Sequence, residues 1–525
     1  MKEENSQSTV VKHLLVVIAI LSTALMGLQP LAQAANSPCN GPNGNLFNLE
    51  PRPNAVVQVA RSLAVLPNPV NNNDLIVAVG ADARGLEANP PIISEDAFYV
   101  QRSSSNCTAD LEGGFPSILT PNNQLFVPAF GSASVVADPA RAQFFIVDLD
   151  FTTAPDENGV GIYQTTSANL TSNSACPSGT EFGTAPCFTT VAVTNISGLN
   201  AFLDNPHIAV DPRTKGIGAG DVYTVVTQRN SDNKTFHISL TACTNGLNCG
   251  ASIAVSGTDN NPDFPWIQVR PDGGITISYR DTTFPGVNPE DIKFVTCTPA
   301  GAPKAPACGS PVLVTTEKNP VFATTIGDLP MMDQLYPRHV NRLESDGKTV
   351  TTFLIYDRCD VPVIQQNGFG RPFCPKGDVV LTSSNNGGGT WSPVTLVSTS
   401  PGLQFFGAIA NDTSTETVNI SYYSTQNDVF QLRPQMFLAQ IAPGTTTVGT
   451  PHRLTSAFAD VQASPPISLA DQPVFFGDRM GIAVTGTGTA GESHAYVSFT
   501  WDSVAGTYNG VPSADVNNHL TSFQY

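Results

Sequence analysis

Arginines, carboxylates and aromatic residues recur beside short apolar stretches of this sequence, and together they could bind an acidic sugar and act on it. Arginine holds a carboxylate through two parallel hydrogen bonds, neighbouring carboxyl groups can share acid and base roles, and aromatic rings can stack on sugar rings. The candidate catalytic residues are Arg338, Arg479, Asp478, Arg280 and Asp357. The candidate ligand-binding residues are His207, Trp266, His339, Arg229 and Arg358.

Each of these residues also has a structural interpretation. The phrase Asp-x-x-x-Ile-x-Val begins at Asp204, Asp263 and Asp478, and a residue shared by repeats usually serves the repeat by capping loop amides. Adjacent residues such as Asp357 and Arg358 point to opposite sides of a regular strand, so only one of them can face a common site. Isolated histidines are more often hydrogen-bonded within a fold than bound to a metal.

A repeat along the chain indicates the elements that would bring these residues together. Each copy contains two strands and a tight turn, as in residues 204–226, and an outer hairpin follows. The apolar landmarks of the first strands are Leu63, Val135, Ile208, Ile267, Val340, Ile409 and Ile482. Seven similar intervals predict an all-β propeller of seven four-stranded blades, with its candidate residues around one mouth of the central channel. Six blades, or two consecutive β-sandwiches, are the alternatives.

Residues 384–391 read Ser-Asn-Asn-Gly-Gly-Gly-Thr-Trp between two apolar runs, which is typical of a β-hairpin with a glycine-rich turn. In such a turn the short polar side chains bond back to the turn amides, and the tryptophan can pack on the sheet. The octet resembles the Asp-box of sialidase-like (BNR) β-propellers, with Asn where Asp is usual. The pattern positions are Ser384, Asn386, Gly388, Thr390 and Trp391. The phrases at residues 208–223 and 476–484 are similar to the same family.

The resemblance implies a propeller whose default ligand is a carbohydrate. It implies a glycoside hydrolase for acidic sugars, comparable to an exo-α-sialidase, or a polysaccharide lyase. A non-catalytic propeller that binds glycans or proteins outside the cell is the main alternative, and a rigid assembly component is the third. The chain lacks the Arg-Ile-Pro phrase of sialidases, and no Glu stands at an evident second-strand end beside the available tyrosines: Tyr279, Tyr356, Tyr422 and Tyr423.

The first residues have the pattern of a secretory signal peptide. An apolar run at residues 14–28 follows two basic residues and precedes Ala32-Gln33-Ala34, a small-x-small cleavage site. We therefore expect a signal peptide at 1–34, an extension at 35–53 and a single propeller domain at 54–525. The mature protein is expected to be secreted, periplasmic or at the cell surface, with no membrane span after cleavage.

The charge of the chain excludes one class of partner. There are 25 basic and 43 acidic residues, giving a net charge of −18, and no basic stripe is present. We therefore expect no nucleic-acid binding, because such proteins neutralise phosphates with clustered lysines and arginines. No metal site or required cofactor is predicted, although the acidic surface could hold a structural Ca²⁺.

The ten cysteines indicate five disulfides in an exported chain. The predicted pairs are Cys39–Cys107, Cys176–Cys187, Cys243–Cys249, Cys297–Cys308 and Cys359–Cys374. The pairs that begin at Cys243 and Cys297 fall where a blade carries its outer hairpin turn. We predict that these two disulfides hold the turns of blades that lack the octet.

Overall fold

The computed structural model describes residues 58–525 with several gaps. The gaps are residues 68–73, 83–95, 103–110, 129–132, 153–156, 177–186, 198–201, 231–234, 283–289, 318–323, 327–328, 332–335, 361–373, 375, 460–479, 487–491 and 509–510. The predicted signal peptide, the extension, the disulfide Cys39–Cys107, and both Asp478 and Arg479 lie outside the described residues. Among the described residues, no helix combines the length and the hydropathy of a membrane span.

The first half of the described chain forms four antiparallel sheets, which we number as blades. Blade 1 contains β1 (Gln58–Pro67), β2 (Asp74–Asp82), β3 (Asp96–Gln101) and β4 (Leu111–Gly114). Blade 2 contains an added hairpin, four further strands and a short helix: β5 (Ile118–Leu119), β6 (Leu125–Pro128), β7 (Ser134–Asp138), β8 (Gln143–Thr152), β9 (Asn158–Thr166), α1 (Ser167–Thr171) and β10 (Thr190–Thr194). Blade 3 contains β11 (Phe202–Val210), β12 (Val222–Arg229), β13 (Phe236–Cys243) and β14 (Ile253–Ala254). Blade 4 contains β15 (Pro262–Val269), β16 (Ile275–Thr282), β17 (Glu290–Thr298), β18 (Ala307–Cys308) and β19 (Val312–Glu317).

The second half forms three further blades after a small hairpin. That hairpin contains β20 (Thr324–Ile326) and β21 (Leu329–Met331). Blade 5 contains β22 (Arg338–Leu343), β23 (Val350–Cys359), β24 (Gly377–Ser384) and β25 (Thr395–Leu396). Blade 6 contains β26 (Gln404–Asp412), β27 (Thr417–Ser424), β28 (Gln435–Ile441) and β29 (His452–Arg453). The described strands of blade 7 are β30 (Gly481–Thr485), β31 (His494–Tyr508) and β32 (Val511–Gln524).

The seven blades form a closed ring. The first strand of each blade contacts the first strand of the next, and β30 of blade 7 returns to β1 of blade 1. All seven apolar landmarks of the sequence lie in these first strands, and all except Ile267 line the channel, so the seven-bladed prediction is confirmed and the six-bladed alternative is wrong. Tyr496 of blade 7 donates a hydrogen bond of 2.5 Å to Asp74 of blade 1 across the closing interface.

A separate hydrophobic cluster lies at each of the seven interfaces between blades. For example, Tyr223 and Leu240 of blade 3 pack with Ile267 and Ile277 of blade 4, and the other six interfaces are built in the same way. The blades are buried on both faces by their neighbours, which explains the nearly continuous apolar runs in strands such as β23. The hydrophobic core of the protein is therefore divided among the interfaces between blades and does not form a single central cluster.

Four of the predicted disulfides are present in the described residues. They are Cys176–Cys187, Cys243–Cys249, Cys297–Cys308 and Cys359–Cys374. Cys243–Cys249 and Cys297–Cys308 close the outer hairpins of blades 3 and 4, where they were expected. Cys359–Cys374 instead joins the end of β23 to the residues before β24, on the side of the ring where the first strands begin.

The glycine-rich turn of blade 5 is held by its own polar side chains. The Oδ1 atom of Asn386 accepts hydrogen bonds from the Thr390 amide at 3.0 Å and from the Ser384 hydroxyl at 2.9 Å. The Trp391 ring donates to the Gly388 carbonyl at 3.1 Å and packs edge-on against Phe294 of blade 4. An amide oxygen thus performs the turn-capping role for which the pattern normally uses a carboxylate.

We call the side where first strands begin and second strands end the mouth face, and the other side the opposite face. On the opposite face, arginines join blade 2 to blade 3, blade 3 to blade 4 and blade 5 to blade 6. Arg141 of blade 2 donates to the carbonyl of Arg213 in blade 3, and Arg213 donates to the carbonyl of Asp272 in blade 4 at 2.6 Å. Both guanidinium groups lie against glycines with positive φ, Gly220 and Gly273, where a Cβ atom would collide with them.

Arg342 forms the most extensive of these connections. It is 1% exposed and donates to Glu344 in its own blade. Its other hydrogen bonds reach three carbonyls of blade 6, at Glu416, Ala442 and Thr445. One side chain of blade 5 therefore satisfies the turn carbonyls of its neighbour.

Candidate functional site

The mouth face owes its shape to irregular first strands. β11 and β15 each contain a bulge, and the residues Asn205 and Phe264 at these bulges have φ of +53°. The preceding carboxylates, Asp204 and Asp263, accept the amide of the bulged residue at 2.9 and 2.8 Å. The capping interpretation of the repeated Asp is therefore supported for these two blades, because the carboxylate supports a strained backbone position.

Asp263 is also the centre of a cluster of charged groups at the boundary of blades 3 and 4. Its Oδ1 atom accepts hydrogen bonds from the Asn205 amide nitrogen at 3.1 Å and the Thr227 hydroxyl at 2.8 Å. Its Oδ2 atom lies 3.8 Å from a guanidinium nitrogen of Arg229 and 3.8 Å from one of Arg280. Arg229 and Arg280, two of the predicted site residues, thus both lie near the carboxylate of Asp263.

Arg280 links this carboxylate to a second one. Its guanidinium lies 4.2 Å from the ring centre of Phe264 and 3.7 Å from the carboxylate of Glu290, at the start of β17. Burial raises the pKa of Glu290, and the nearby positive charge of Arg280 opposes this shift. The neighbouring Asp281 points elsewhere and accepts the Asn261 amide, as expected for adjacent strand residues.

Arg229 is the most exposed of the mouth arginines that the structure describes in blades 3–5, with 36% of its side chain accessible. It donates to Asp204 at 3.0 Å, and its guanidinium lies 5.5 to 5.9 Å from the ring centres of Phe236 and Phe202. Phe202 is itself 40% exposed. An accessible cation beside an accessible aromatic ring is a suitable surface for a charged or ring-shaped ligand.

A channel of about 510 Å³ passes through the ring and is lined by first strands of the blades. At its mouth, the rings of His207 and Trp266 stack with centres 3.7 Å apart, and Arg338 lies 5.3 Å from the Trp266 ring. Arg338 is 3% exposed and donates to the Met480 carbonyl of blade 7 at 2.8 Å. The structure brings these three predicted residues together, but Arg338 also connects two blades across the channel.

His339 lies inside the fold and not at the mouth. Its ring nitrogens are each 2.8 Å from a hydroxyl, one of Thr276 and one of Ser278, and its side chain has no exposed surface. Burial lowers its pKa to about 3. Its position therefore does not support the predicted ligand contact, because both ring nitrogens are occupied.

Asp357 and Arg358 lie at the end of β23 and serve different neighbours. Asp357 accepts the amides of Phe406 and Gly407 at the bulge of blade 6, at 3.0 and 3.3 Å. Arg358 pairs with Asp360 at 3.0 Å. Asp357 thus caps the bulge of the next blade in this structure.

Beside Arg358, two carboxyl groups share a hydrogen bond. Burial raises the pKa of Asp378 to about 7, and its hydrogen bond with Asp360 and the negative charge of Asp360 reinforce the shift. Asp378 thus keeps its proton at a pH where an ordinary aspartate is ionised. Lys376 approaches the Asp360 carboxylate to 3.3 Å.

Two acidic residues of the mouth face were missed by sequence reasoning. Glu290 begins a third strand and Glu317 ends an outer strand, where it accepts a hydrogen bond from Tyr356. Tyr356 is buried between blades 4 and 5, and burial raises its pKa. A search of third-strand starts and outer-strand ends, which also open on the mouth face, would have found both glutamates.

The described residues contain no group of three or more His, Cys, Asp or Glu side chains arranged to hold a metal ion. The predicted catalytic residues Asp478 and Arg479 belong to the segment before β30 that is outside the described part of the chain. The candidate residues that the structure describes lie in blades 3, 4 and 5.

No protein-family model matches this sequence, and no curated protein matches it either. Among solved structures, the polysaccharide lyase Uly1 aligns over 91% of this chain and 91% of its own, at 10% identity and a TM-score of 0.44. An α-L-arabinofuranosidase of Fusarium graminearum aligns over 74% of this chain and 97% of its own, at 9% identity and a TM-score of 0.39. A lectin of Aleuria aurantia in complex with α-methyl-L-fucoside aligns over 76% and 97%, at 10% identity and a TM-score of 0.35. Likeness at this level assigns neither a ligand nor an activity to this chain.

Proposed function

We propose that this protein is a glycan-binding β-propeller of the extracellular space that holds an acidic sugar on its mouth face. The observation that carries the proposal is the accessible Arg229 guanidinium beside the accessible ring of Phe202. The guanidinium can bind a sugar carboxylate and the phenyl ring can stack on the apolar side of the sugar. Asp204 would orient the guanidinium and accept a sugar hydroxyl.

The extracellular part of this proposal is supported by the signal-peptide pattern and by the four disulfides of the described chain. Disulfides persist in oxidising compartments and are rare in the cytosol. Secretion would be tested by expressing the full chain in a bacterial host and determining the N-terminus of the exported protein. A start at Ala35 is the expected result.

Titration calorimetry with sialyllactose and with a galacturonic acid oligosaccharide tests the binding site. We expect Arg229→Ala to abolish binding and Arg229→Lys to restore it only in part, because lysine keeps the charge but not the two-pronged geometry. Arg433→Ala is the matched control, since Arg433 also pairs with an aspartate and lies 5.0 Å from a phenylalanine ring. Equal losses in the Arg229 and Arg433 variants would indicate unspecific attraction and would overturn the proposal.

A second candidate function, hydrolysis of an acidic glycan as in a sialidase, is favoured by Asp263 and Glu290. These carboxyl groups lie on either side of Arg280, and burial raises the pKa of Glu290. A carboxyl group whose pKa is raised is suited to act as a general acid beside a second carboxyl group. This pair differs from Arg338 and Arg479, which the sequence suggested as catalytic candidates.

A release assay on sialosides and uronate-containing polysaccharides, with and without Ca²⁺, tests the second candidate by mass spectrometry. Glu290→Gln should lower the release rate at least about 100-fold while leaving calorimetric binding intact. Release that is equally fast in Glu290→Gln would exclude Glu290 as the acid. If a folded sample binds sugars but releases none, the hydrolase candidate is excluded and only the binding function remains.

A further inference from the structure

A groove on the outer wall between blades 5 and 6 is separate from the mouth cluster of blades 3 and 4. It consists of two adjoining cavities of about 420 and 660 Å³ that share the residues Leu396, Ser398, Thr399 and Ser400. The upper cavity reaches Lys376, Asp378 and Gln431 on the mouth face. The lower cavity continues down the wall to the turn at residues 446–451 of blade 6. These volumes are typical of small-molecule sites, and their junction makes the groove elongated.

The lining of the groove is rich in hydroxyl groups and poor in charge. Nine of the sixteen residues around the lower cavity are serine or threonine, and none is charged. Within the described chain, the side-chain hydroxyls of Thr399, Ser400, Thr446, Thr447 and Thr450 make no hydrogen bond to other residues. Such groups can both donate to and accept from a ligand that carries hydroxyls of its own.

The mouth end of the groove adds an apolar platform. Val429 and Phe430 are 90% and 77% exposed, at the tip of the loop that leads to Gln431. The loop is ordered by Asp428, whose Oδ2 atom accepts the amides of Leu432 and Arg433 at 2.9 and 3.0 Å. A preorganised, exposed phenyl ring next to a polar groove can stack on one ring of a sugar chain without the cost of ordering a loop.

We propose that this groove binds a neutral oligosaccharide chain, lengthwise from Phe430 to the turn at 446–451. Charge favours a neutral ligand over an acidic one. The lower cavity has no charged lining residue, Lys376 at the upper end lies 3.3 Å from the carboxylate of Asp360, and the whole chain carries a net charge of −18. The proposal extends the proposed glycan-binding function to a second site with a different sugar class, and it rests on geometry that the Arg229 site does not share.

The test is titration of the full mature protein with cellohexaose, mannohexaose, maltohexaose and arabinohexaose, by calorimetry and saturation-transfer NMR. Thr399→Trp places a large side chain in the shared part of the groove, where Thr399 is exposed, and should weaken binding of the hexasaccharide at least about tenfold. Thr298→Trp is the matched control, because Thr298 is also exposed but lies on the outer wall of blade 4. Phe430→Ala should weaken the same binding by a smaller factor without unfolding the protein.

The outcomes separate this site from the mouth site. Hexasaccharide binding that is kept in Arg229→Ala and Thr298→Trp and lost in Thr399→Trp supports the proposal. Absence of binding to all four hexasaccharides overturns it, and so does binding that Thr399→Trp leaves unchanged. Hexasaccharide binding lost only in Arg229→Ala would assign the neutral sugar to the mouth and likewise overturn it. Binding of acidic sugars at Arg229 is measured in a separate titration. The experiments can therefore contradict the mouth site or the groove independently of each other.

Discussion

On the opposite face, Arg213 and Arg342 donate hydrogen bonds to backbone carbonyls of the next blade, whereas on the mouth face Arg229 and Arg280 lie beside carboxylates. Arg342 has 1% of its surface exposed and Arg229 has 36% of its side chain exposed. Arg342 is therefore part of the packed fold, whereas Arg229 remains accessible on the mouth face. Arg338 at the channel mouth resembles Arg342, because it is 3% exposed and donates to the Met480 carbonyl of another blade. Backbone carbonyls are fixed in position, so arginines that bind them become part of the fold.

The two faces also differ in how well their charges are balanced. The arginines of the opposite face each satisfy several acceptors with hydrogen bonds of 2.6 to 3.4 Å. On the mouth face, Arg280 approaches Asp263 and Glu290 only to 3.8 and 3.7 Å, and Asp378 shares a proton with Asp360. Carboxyl groups that share a proton are common where proteins bind ligands, because such sites are not selected for stability alone.

The largest expected effect is on the opposite face. Arg342→Ala should lower the free energy of unfolding by about 3 kcal/mol, because it removes a buried side chain that packs on Phe353 and leaves Glu344 and three turn carbonyls of blade 6 without their donor. Urea denaturation followed by circular dichroism measures the loss. A loss of less than about 1 kcal/mol, the value expected for the exposed Arg229, would contradict the difference between the two faces.

The next largest effect is expected for Gly273→Ala. Its comparison with Gly347→Ala separates the cost of backbone strain from the cost of losing an arginine contact on the opposite face. Gly273 has φ of +93°, and a Cβ there would lie within 2 Å of the Arg213 guanidinium, whereas Gly347 in the matching turn of blade 5 has φ of +66° and open space. Gly347→Ala should cost about 1 kcal/mol from φ alone. Gly273→Ala should cost at least about 1 kcal/mol more, because Arg213 must move away from the Asp272 carbonyl. Equal thermal shifts in the two variants would show that the arginine contact contributes nothing.

On the mouth face, the carboxyl pair predicts a dependence of stability on pH. Asp378 has its pKa raised to about 7 in the folded protein, whereas in the unfolded chain it titrates near 4. Between these pH values the unfolded state binds fewer protons, so this group lowers the free energy of unfolding as the pH rises from 4 to 7. Asp378→Asn should therefore flatten the stability profile in this window, measured by urea denaturation at several pH values. Parallel profiles for the variant and the wild type would refute the shared proton.

The smallest effect on stability is expected for Arg229. Its pair with Asp204 is exposed to water and screened, so Arg229→Ala should change the free energy of unfolding by less than about 1 kcal/mol. Thermal unfolding of Arg229→Ala and Arg342→Ala under the same conditions measures the two losses of stability side by side. A loss of several kcal/mol would show that Arg229 is a structural residue like those of the opposite face, and would weaken its assignment to ligand binding.

The seven-bladed fold could be predicted because it depends on local patterns that repeat. The landmarks from Leu63 to Ile482 mark first strands that each need the same apolar side chains to line the channel and pack on the next blade. The pairs Cys243–Cys249 and Cys297–Cys308 could be predicted for the same reason, since each closes a turn of the chain. Asn386 and its neighbours likewise form a local turn whose hydrogen bonds depend on residue types alone.

The candidate site could be predicted only in part. The chain brings His207, Trp266 and Arg338 together at the channel, and it brings Arg229 and Arg280 together at Asp263. The sequence allowed a hydrogen-bonded, structural His339 but could not name its partners, because Thr276 and Ser278 come from another blade. Side-chain partners between blades are far apart in sequence and leave no periodic signal.

The sequence by itself determined the all-β class, the repeat, the turn at 384–391 and the local disulfides, because each follows from residue types within short segments. The closed ring of first strands then decided for seven blades and against six. The tertiary structure decided which arginines close the ring and which remain accessible. It also decided that Asp357 caps the bulge of the next blade and that blades 5 and 6 enclose a hydroxyl-lined groove. These features depend on the distance and burial of groups from different blades, which only the packed ring fixes.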